Sequence, residues 1–133
     1  MPNLHTLSGS GAYGGISERS VETPWSVTGL GTRLIVGDQV YNRLLIWSPI
    51  PSQANTGYPT IANGLWGQIN FELGVPHNGA QVNALGVSAP LVYVEPQGVG
   101  TGRFFVSDSG NNRVLLFEAG VPTNLSTQPS KVV

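Results

Sequence analysis

Short hydrophobic runs separated by polar turns dominate this chain. Residues 25–30, 33–38 and 42–47 are rich in valine, isoleucine, leucine and aromatic residues, and turn-forming residues bound them. Runs of this length and composition predict β-strands. No stretch carries a sustained apolar period of 3.6 residues, and residues 18–22 allow one helical turn at most. The pattern therefore predicts an all-β protein.

Two segments of the chain repeat without a gap. Residues 33–47 and 103–117 place arginine, valine, aspartate, asparagine, arginine and leucine at the same positions, and an aromatic residue closes each copy. The likeness extends more weakly outward, with Pro24 before the first copy and Pro90 before the second. Internal repetition of this kind predicts neighbouring units with the same local structure.

The repeat divides the chain into two units of similar length. We interpret residues 1–133 as a single module that contains a first repeat, 1–68, and a second repeat, 69–133. Residues 60–67 predict a fourth, outer strand in the first repeat, of which only residues 131–133 remain in the second.

Composition and charge narrow the function classes. Charged residues make up 10% of the 133 residues, against about 25% in typical soluble domains. A net charge of −1 disfavours a nucleic-acid binder, which needs a basic surface to neutralise phosphates. The chain has no cysteine, and therefore no disulfide and no thiolate chemistry. No apolar run approaches the roughly 20 residues of a membrane span, and no signal peptide is recognisable.

The repeated motif resembles the signature of the NHL-repeat family. That signature is a hydrophobic strand, then V-x-D-x-x-N-N-R, then a strand that ends in an aromatic residue. Residues 106–117 match it closely, whereas residues 36–47 depart from it at 39–41, where glycine and asparagine are expected. The long repeat is most similar to a bacterial NHL-like subgroup. The resemblance implies a β-propeller with four antiparallel strands per blade and two blades in this chain.

The signature residues favour a structural role over ligand contact. An aspartate that opens a tight turn can accept backbone N–H bonds, and an arginine a few residues later can pair with that carboxylate or with a neighbouring blade. The repeated signature positions are Arg33, Asp38, Asn42, Arg43, Arg103, Asp108, Asn112 and Arg113.

Ring closure raises the question of partners. Propellers contain about four to eight blades, so two blades cannot close a ring, and fewer than three repeats are seldom stable alone. We therefore expect either a homo-oligomer, with a trimer of six blades favoured, or the remainder of a longer propeller. In an oligomer, residues 131–133 could extend a sheet of the next subunit.

Motifs that would indicate catalysis, a metal or a cofactor are weak. Residues 9–14 spell G-x-G-x-x-G but lack the preceding strand and following helix of a dinucleotide site. His5 and His77 lie in predicted loops without a local cluster of acids, and residues 108–112 lack the closing glutamate of a calcium loop. We predict no catalytic residue, no metal site and no cofactor.

Four aromatic residues in or near predicted loops are the candidate ligand contacts. Flat rings beside asparagine, glutamine and serine can stack on sugars or grip a peptide, although packing is the favoured role. These candidates are Tyr13, Trp25, Tyr41 and Tyr58.

The leading functional interpretation is a non-enzymatic, NHL-like module for protein or peptide binding or for self-assembly. The alternative is a lectin-like propeller that binds carbohydrate, and an NHL-like lyase or lactonase is less favoured. Low charge, absent cysteine and abundant small polar residues favour an extracellular or periplasmic location, although this chain shows no export signal.

Overall fold

The computed structural model describes residues 16–52, 61–76, 86–95, 102–122 and 127–133. Eight strands run through them: β1 (Pro24–Leu30), β2 (Arg33–Asp38), β3 (Arg43–Trp47), β4 (Gly64–Trp66), β5 (Pro90–Val94), β6 (Phe104–Asp108), β7 (Arg113–Phe117) and β8 (Lys131–Val132). Within these described ranges, helix is confined to short turns such as Ser109–Asn111. The prediction of an all-β protein is confirmed.

The strands form two antiparallel four-stranded sheets in chain order. The first sheet has the order β1-β2-β3-β4 and the second has the order β5-β6-β7-β8. Each strand is therefore paired with its sequence neighbour, as short hairpin connections favour. Four antiparallel strands per repeat were predicted, and the structure contains them. Two sheets do not close a ring, and their identity as propeller blades stays a prediction.

The fourth strand of the first sheet is shorter than the sequence pattern suggested. Within the predicted 60–67 only Gly64–Trp66 is strand. Just before it, the Asn63 side chain hydrogen-bonds both main-chain groups of Ser48, accepting from its N–H at 2.9 Å and donating to its carbonyl at 2.7 Å. The Asn63 N–H still donates to the Ile46 carbonyl at 3.0 Å, so the side-chain bonds extend the pairing beyond the end of β4.

The two sheets pack face to face around one core. Directly opposed residues of an antiparallel pair share a face, so alternation assigns each side chain to one side. The first sheet contributes Ile35, Leu44, Ile46 and Trp66, and the second contributes Val92, Phe104, Val106, Leu115 and Phe117, with Val87 and Val121 beside them. We call these surfaces the inner faces. The Trp66 ring meets Phe117 edge-on at 5.2 Å, and its Nε1 donates to the carbonyl of Thr127.

The opposite face of the first sheet, the outer face, is less completely covered. Val36 and Leu45 on this face are buried, but Trp47 is only partly buried, whereas its repeat counterpart Phe117 is buried in the core. Alignment with Phe117 predicts a core position for Trp47. The two differ because Phe117 faces the other sheet, while Trp47 faces outward.

Gly37 sets the distance between the sheets. A Cβ at this position would lie 2.8 Å from the main-chain oxygen of Pro90 and 2.4 Å from Ser26 Oγ. That hydroxyl accepts a hydrogen bond from the N–H of Val92, which joins β1 to β5. A residue with a side chain at position 37 would push β5 away from the first sheet.

We therefore expect Gly37→Ala to lower the free energy of unfolding by about 1–3 kcal/mol, because overpacking of a close contact costs that much. Gly29→Ala is the matched control, since its new Cβ would meet only the Arg33 main-chain oxygen at 3.6 Å. Urea unfolding of both variants measures the difference. Equal free energies of unfolding in the two variants would show that β5 can move away from the first sheet without a loss of stability.

Candidate functional site

The first signature pair is a buried ion pair with several backbone partners. Arg43 Nε donates to Asp38 Oδ2 at 3.2 Å, and both side chains are fully buried. The rest of the guanidinium donates to main-chain oxygens, from Nη1 to Phe71 at 2.6 Å and from Nη2 to Ser20 at 2.6 Å. Arg43 thus joins the β2–β3 hairpin to the segments before β1 and after β4.

The second repeat builds the same arrangement. Arg113 Nε donates to Asp108 Oδ2 at 2.6 Å, and Nη2 donates to the Gly86 carbonyl at 2.7 Å. Asp108 Oδ1 accepts from the N–H of Ser88 at 2.7 Å. In the first repeat Asp38 Oδ1 accepts from Glu22 in the corresponding way. In both repeats, the signature therefore ties the lead-in to the first strand to the hairpin of the second and third.

The asparagine of the signature has different surroundings in the two repeats. Asn42 and Asn112 both adopt the left-handed conformation, with φ of 51° and 52°. Asn42 is buried; its Oδ1 accepts from the N–H of Ala89 at 2.9 Å, and its Nδ2 donates to the Gly74 carbonyl. Asn42 is therefore a latch between the first sheet and the segment that enters the second. Asn112 is exposed.

The leading arginines of the repeats do not take part in this network. Arg103 pairs with Glu95 through two hydrogen bonds of 2.9 and 2.6 Å, and its guanidinium lies 5.8 Å from the centre of the Phe105 ring. Arg33 forms no ion pair with a described residue and lines a cleft of about 180 Å³ with Asn63 and Val121. The repeat therefore does not give these two arginines a shared role.

Of the four predicted aromatic contacts, only one presents its ring to solvent in the described residues. Trp25 is 68% exposed. Tyr41 is buried, its hydroxyl donates to Glu22, and Arg43 lies 5.1 Å from its ring centre. Burial, reinforced by the Glu22 carboxylate, raises the pKa of Tyr41. Tyr13 and Tyr58 lie outside the described residues. Burial disfavours ligand contact by Tyr41, whereas the exposed ring of Trp25 is accessible.

The most distinctive exposed surface is one that the sequence analysis did not identify. The second sheet has a largely apolar face opposite its inner face, which we call the open face and which consists of Leu91, Tyr93, Phe105, Ser107, Val114 and the buried Leu116. Tyr93 is 57% exposed and Val114 is 38% exposed. The rings of Tyr93 and Phe105 pack together at 6.1 Å. Apolar residues at consecutive positions of β5, β6 and β7 were the available signal, since they predict a sheet with two apolar faces.

Metal and membrane features are not found in the described part of the chain. No group of three or more histidine or acidic side chains converges there. His5 and His77 lie outside it. None of the described segments forms a helix long and apolar enough to cross a membrane.

Comparison with known proteins adds no assignment. No protein-family model, no curated protein and no solved structure matches this chain.

Because the signature pair Asp38–Arg43 is buried, the removal of one of its members should destabilise the fold strongly. Burial lowers the pKa of Arg43, although Asp38 raises it in turn. Removing one member of a buried pair leaves the other charge without compensation, at a cost of about 3–5 kcal/mol. We expect Arg43→Met to lower the free energy of unfolding by that amount, measured by urea unfolding.

Two variants serve as controls for this measurement. Lys131→Met removes the exposed pair with Glu118 and is expected to cost less than about 1 kcal/mol. Asp38→Asn combined with Arg43→Met is expected to recover part of the loss, because no uncompensated charge stays buried. A loss in Arg43→Met as small as that in Lys131→Met would contradict a stabilising role for the pair.

Proposed function

We propose that this chain is a non-enzymatic, NHL-like propeller module that binds proteins or peptides, or assembles with like units, through its open face. The single observation that carries the proposal is the exposure of this face. Its ring pair, Tyr93 and Phe105, and the valine at 114 lie on a regular sheet and not on scattered loops. The repeat signature supports the NHL-like part of the proposal.

The chemistry of the open face suits a protein partner. Protein interfaces are enriched in tyrosine, phenylalanine and arginine, and their cores are depleted of charge. Here Arg103 is paired with Glu95 at the edge of the ring pair, so its charge is compensated. A flat apolar surface bordered by paired charges therefore favours a protein or peptide over a small polar ligand.

A lectin-like function is the second candidate, favoured by one feature of the same face. The exposed Tyr93 ring can stack on a sugar, and the neighbouring Arg103–Glu95 pair offers donors and acceptors for hydroxyl groups. A glycan array separates the two candidates. Binding to one glycan class, lost in Tyr93→Ala, would favour carbohydrate.

The proposed function can be tested with a phage-displayed library of random peptides. We expect apolar peptides to be enriched on the immobilised chain. Tyr93→Ala should weaken their binding by more than about tenfold, since truncating a central interface aromatic costs about 2 kcal/mol. Trp25→Ala, which removes an exposed ring from the other sheet, is the matched control.

Two outcomes would contradict this proposal. One is a failure to enrich any peptide on a chain that light scattering shows to be monomeric. The other is the reverse pattern, in which Trp25→Ala abolishes binding and Tyr93→Ala does not, which would place the site on the first sheet.

A further inference from the structure

We infer that the open face receives the first sheet of a second copy of this chain, so that copies associate head to tail. The inference rests on the proposed function and names the partner at the same surface. The observation behind it is that the contact between the two sheets within one chain uses surfaces whose repeat counterparts both carry exposed apolar residues, Val114 on the open face and Val27 on the outer face.

The contact within the chain supplies the geometry. The inner face of the first sheet packs against the inner face of the second, and the two inner faces are opposite sides of the repeated unit. Signature residues show this, because Asp108 and Arg113 share a face with the core residue Val106, whereas Asp38 and Arg43 share the outer face with Val36. The contact is therefore heterologous and can in principle continue indefinitely.

Positions on the open face correspond to positions that the intrachain contact buries. Leu44 is buried, and its counterpart Val114 is exposed. Trp66 pairs with Leu44 in the first sheet, and Val133 pairs with Val114 by two backbone bonds in the second. Trp66 is buried whereas Val133 is exposed. The open face therefore has exposed apolar residues at positions whose counterparts in the first sheet are buried in the core.

The complementary surface is the β1 side of the outer face. In the second sheet Pro90 and Val92 are buried against the first sheet. Their counterparts, judged by pairing with Asp38 and Val36, are Pro24 and Val27. Pro24 is exposed and Val27 is 65% exposed. Both surfaces of a second contact therefore carry exposed apolar residues at positions that correspond to the two sides of the intrachain contact, although Val36 and Leu45 on the outer face are buried.

The asparagine of the signature shows the same difference between the two repeats, bonded across the contact in the first and exposed in the second. Asn42 accepts from the N–H of Ala89 across the sheet contact, at 2.9 Å. Its counterpart Asn112 is exposed, and the counterpart of Ala89 is Thr23, whose N–H makes only a long bond of 3.4 Å to Asp38. In a second contact Asn112 would face Thr23 of the neighbouring copy.

One difference predicts that the contact between copies is looser than the contact within the chain. Ser107 occupies the position of Gly37, and a Cβ at Gly37 would lie 2.8 Å from the opposing main chain. The neighbouring copy must therefore sit slightly farther from the open face. We expect reversible assembly, and because propeller rings contain about four to eight blades, closure would take two to four copies.

The test uses two valine-to-aspartate variants, each of which places a charge on one of the two contact surfaces. Val114→Asp changes the open face and Val27→Asp changes the outer face of β1. Light scattering on a sizing column is expected to give a mass of two to four times 14.0 kDa for the wild-type chain and 14.0 kDa for each variant. An equimolar mixture of the two variants should give a one-to-one complex and nothing larger. The mixture retains one unaltered open face, on Val27→Asp, and one unaltered outer face, on Val114→Asp.

Val40→Asp is the matched control, since Val40 is 50% exposed in the β2–β3 turn and belongs to neither strand face, and this variant should assemble like the wild type. Circular dichroism checks that the variants are folded, and Tyr93→Asp replaces Val114→Asp if the latter is not. If the wild-type species contains more than four copies and the two variants still form a one-to-one complex, the same contact joins the copies in an open filament.

Three results would overturn the inference: a wild-type monomer, a mixture that stays at 14.0 kDa, or assembly by Val27→Asp alone. The last would mean that two open faces meet each other. The peptide selection, repeated on Val27→Asp so that no copy competes for the open face, separates this inference from the proposed function. Enriched peptides together with a wild-type monomer would overturn the inference and retain the function.

Discussion

A four-stranded sheet with apolar residues on both faces must be covered on both sides, and the architecture of this protein depends on that constraint. In the first sheet the adjacent residues Ile35 and Val36 point to opposite faces, and both are buried. Hydrophobic burial favours covering each face, at about 25 cal/mol per Å² of apolar surface removed from water. The second sheet covers the inner face of the first, but nothing in the described part of the chain covers Tyr93 and Val114.

The polar signature complements this packing, because it holds the segment that precedes the first strand of each sheet in place. Asp38 and Arg43, and their counterparts in the second repeat, hold the chain before the first strand against the hairpin of the next two. A buried ion pair is a weak source of net stability compared with apolar residues of the same size. Its several backbone partners here indicate a role in specifying the register of the unit. The repeated motif is therefore explained by folding, without a ligand.

The sheet contact within the chain combines close approach with a latch, and the two repeats differ in both. Gly37 allows the main chain of β5 to approach, and Asn42 bonds across the contact. The second repeat has Ser107 and the exposed Asn112 at these positions. The contact within the chain is therefore closely packed, and the contact that we infer at the open face would fit less closely and be reversible.

The sequence by itself determined the all-β class, the repeated motif and the approximate limits of the first three strands, because short apolar runs and turn residues are local signals. It also singled out the aspartate and arginine of the signature, because they recur in a chain with few charges. The exposure of Tyr93 and the burial of Tyr41 followed only from the tertiary structure. Tyr93 lies within an apolar strand and Tyr41 lies between two of them, and nothing local distinguishes a face that meets a second sheet from one that meets solvent. That distinction depends on which faces of two sheets, distant in the chain, come together.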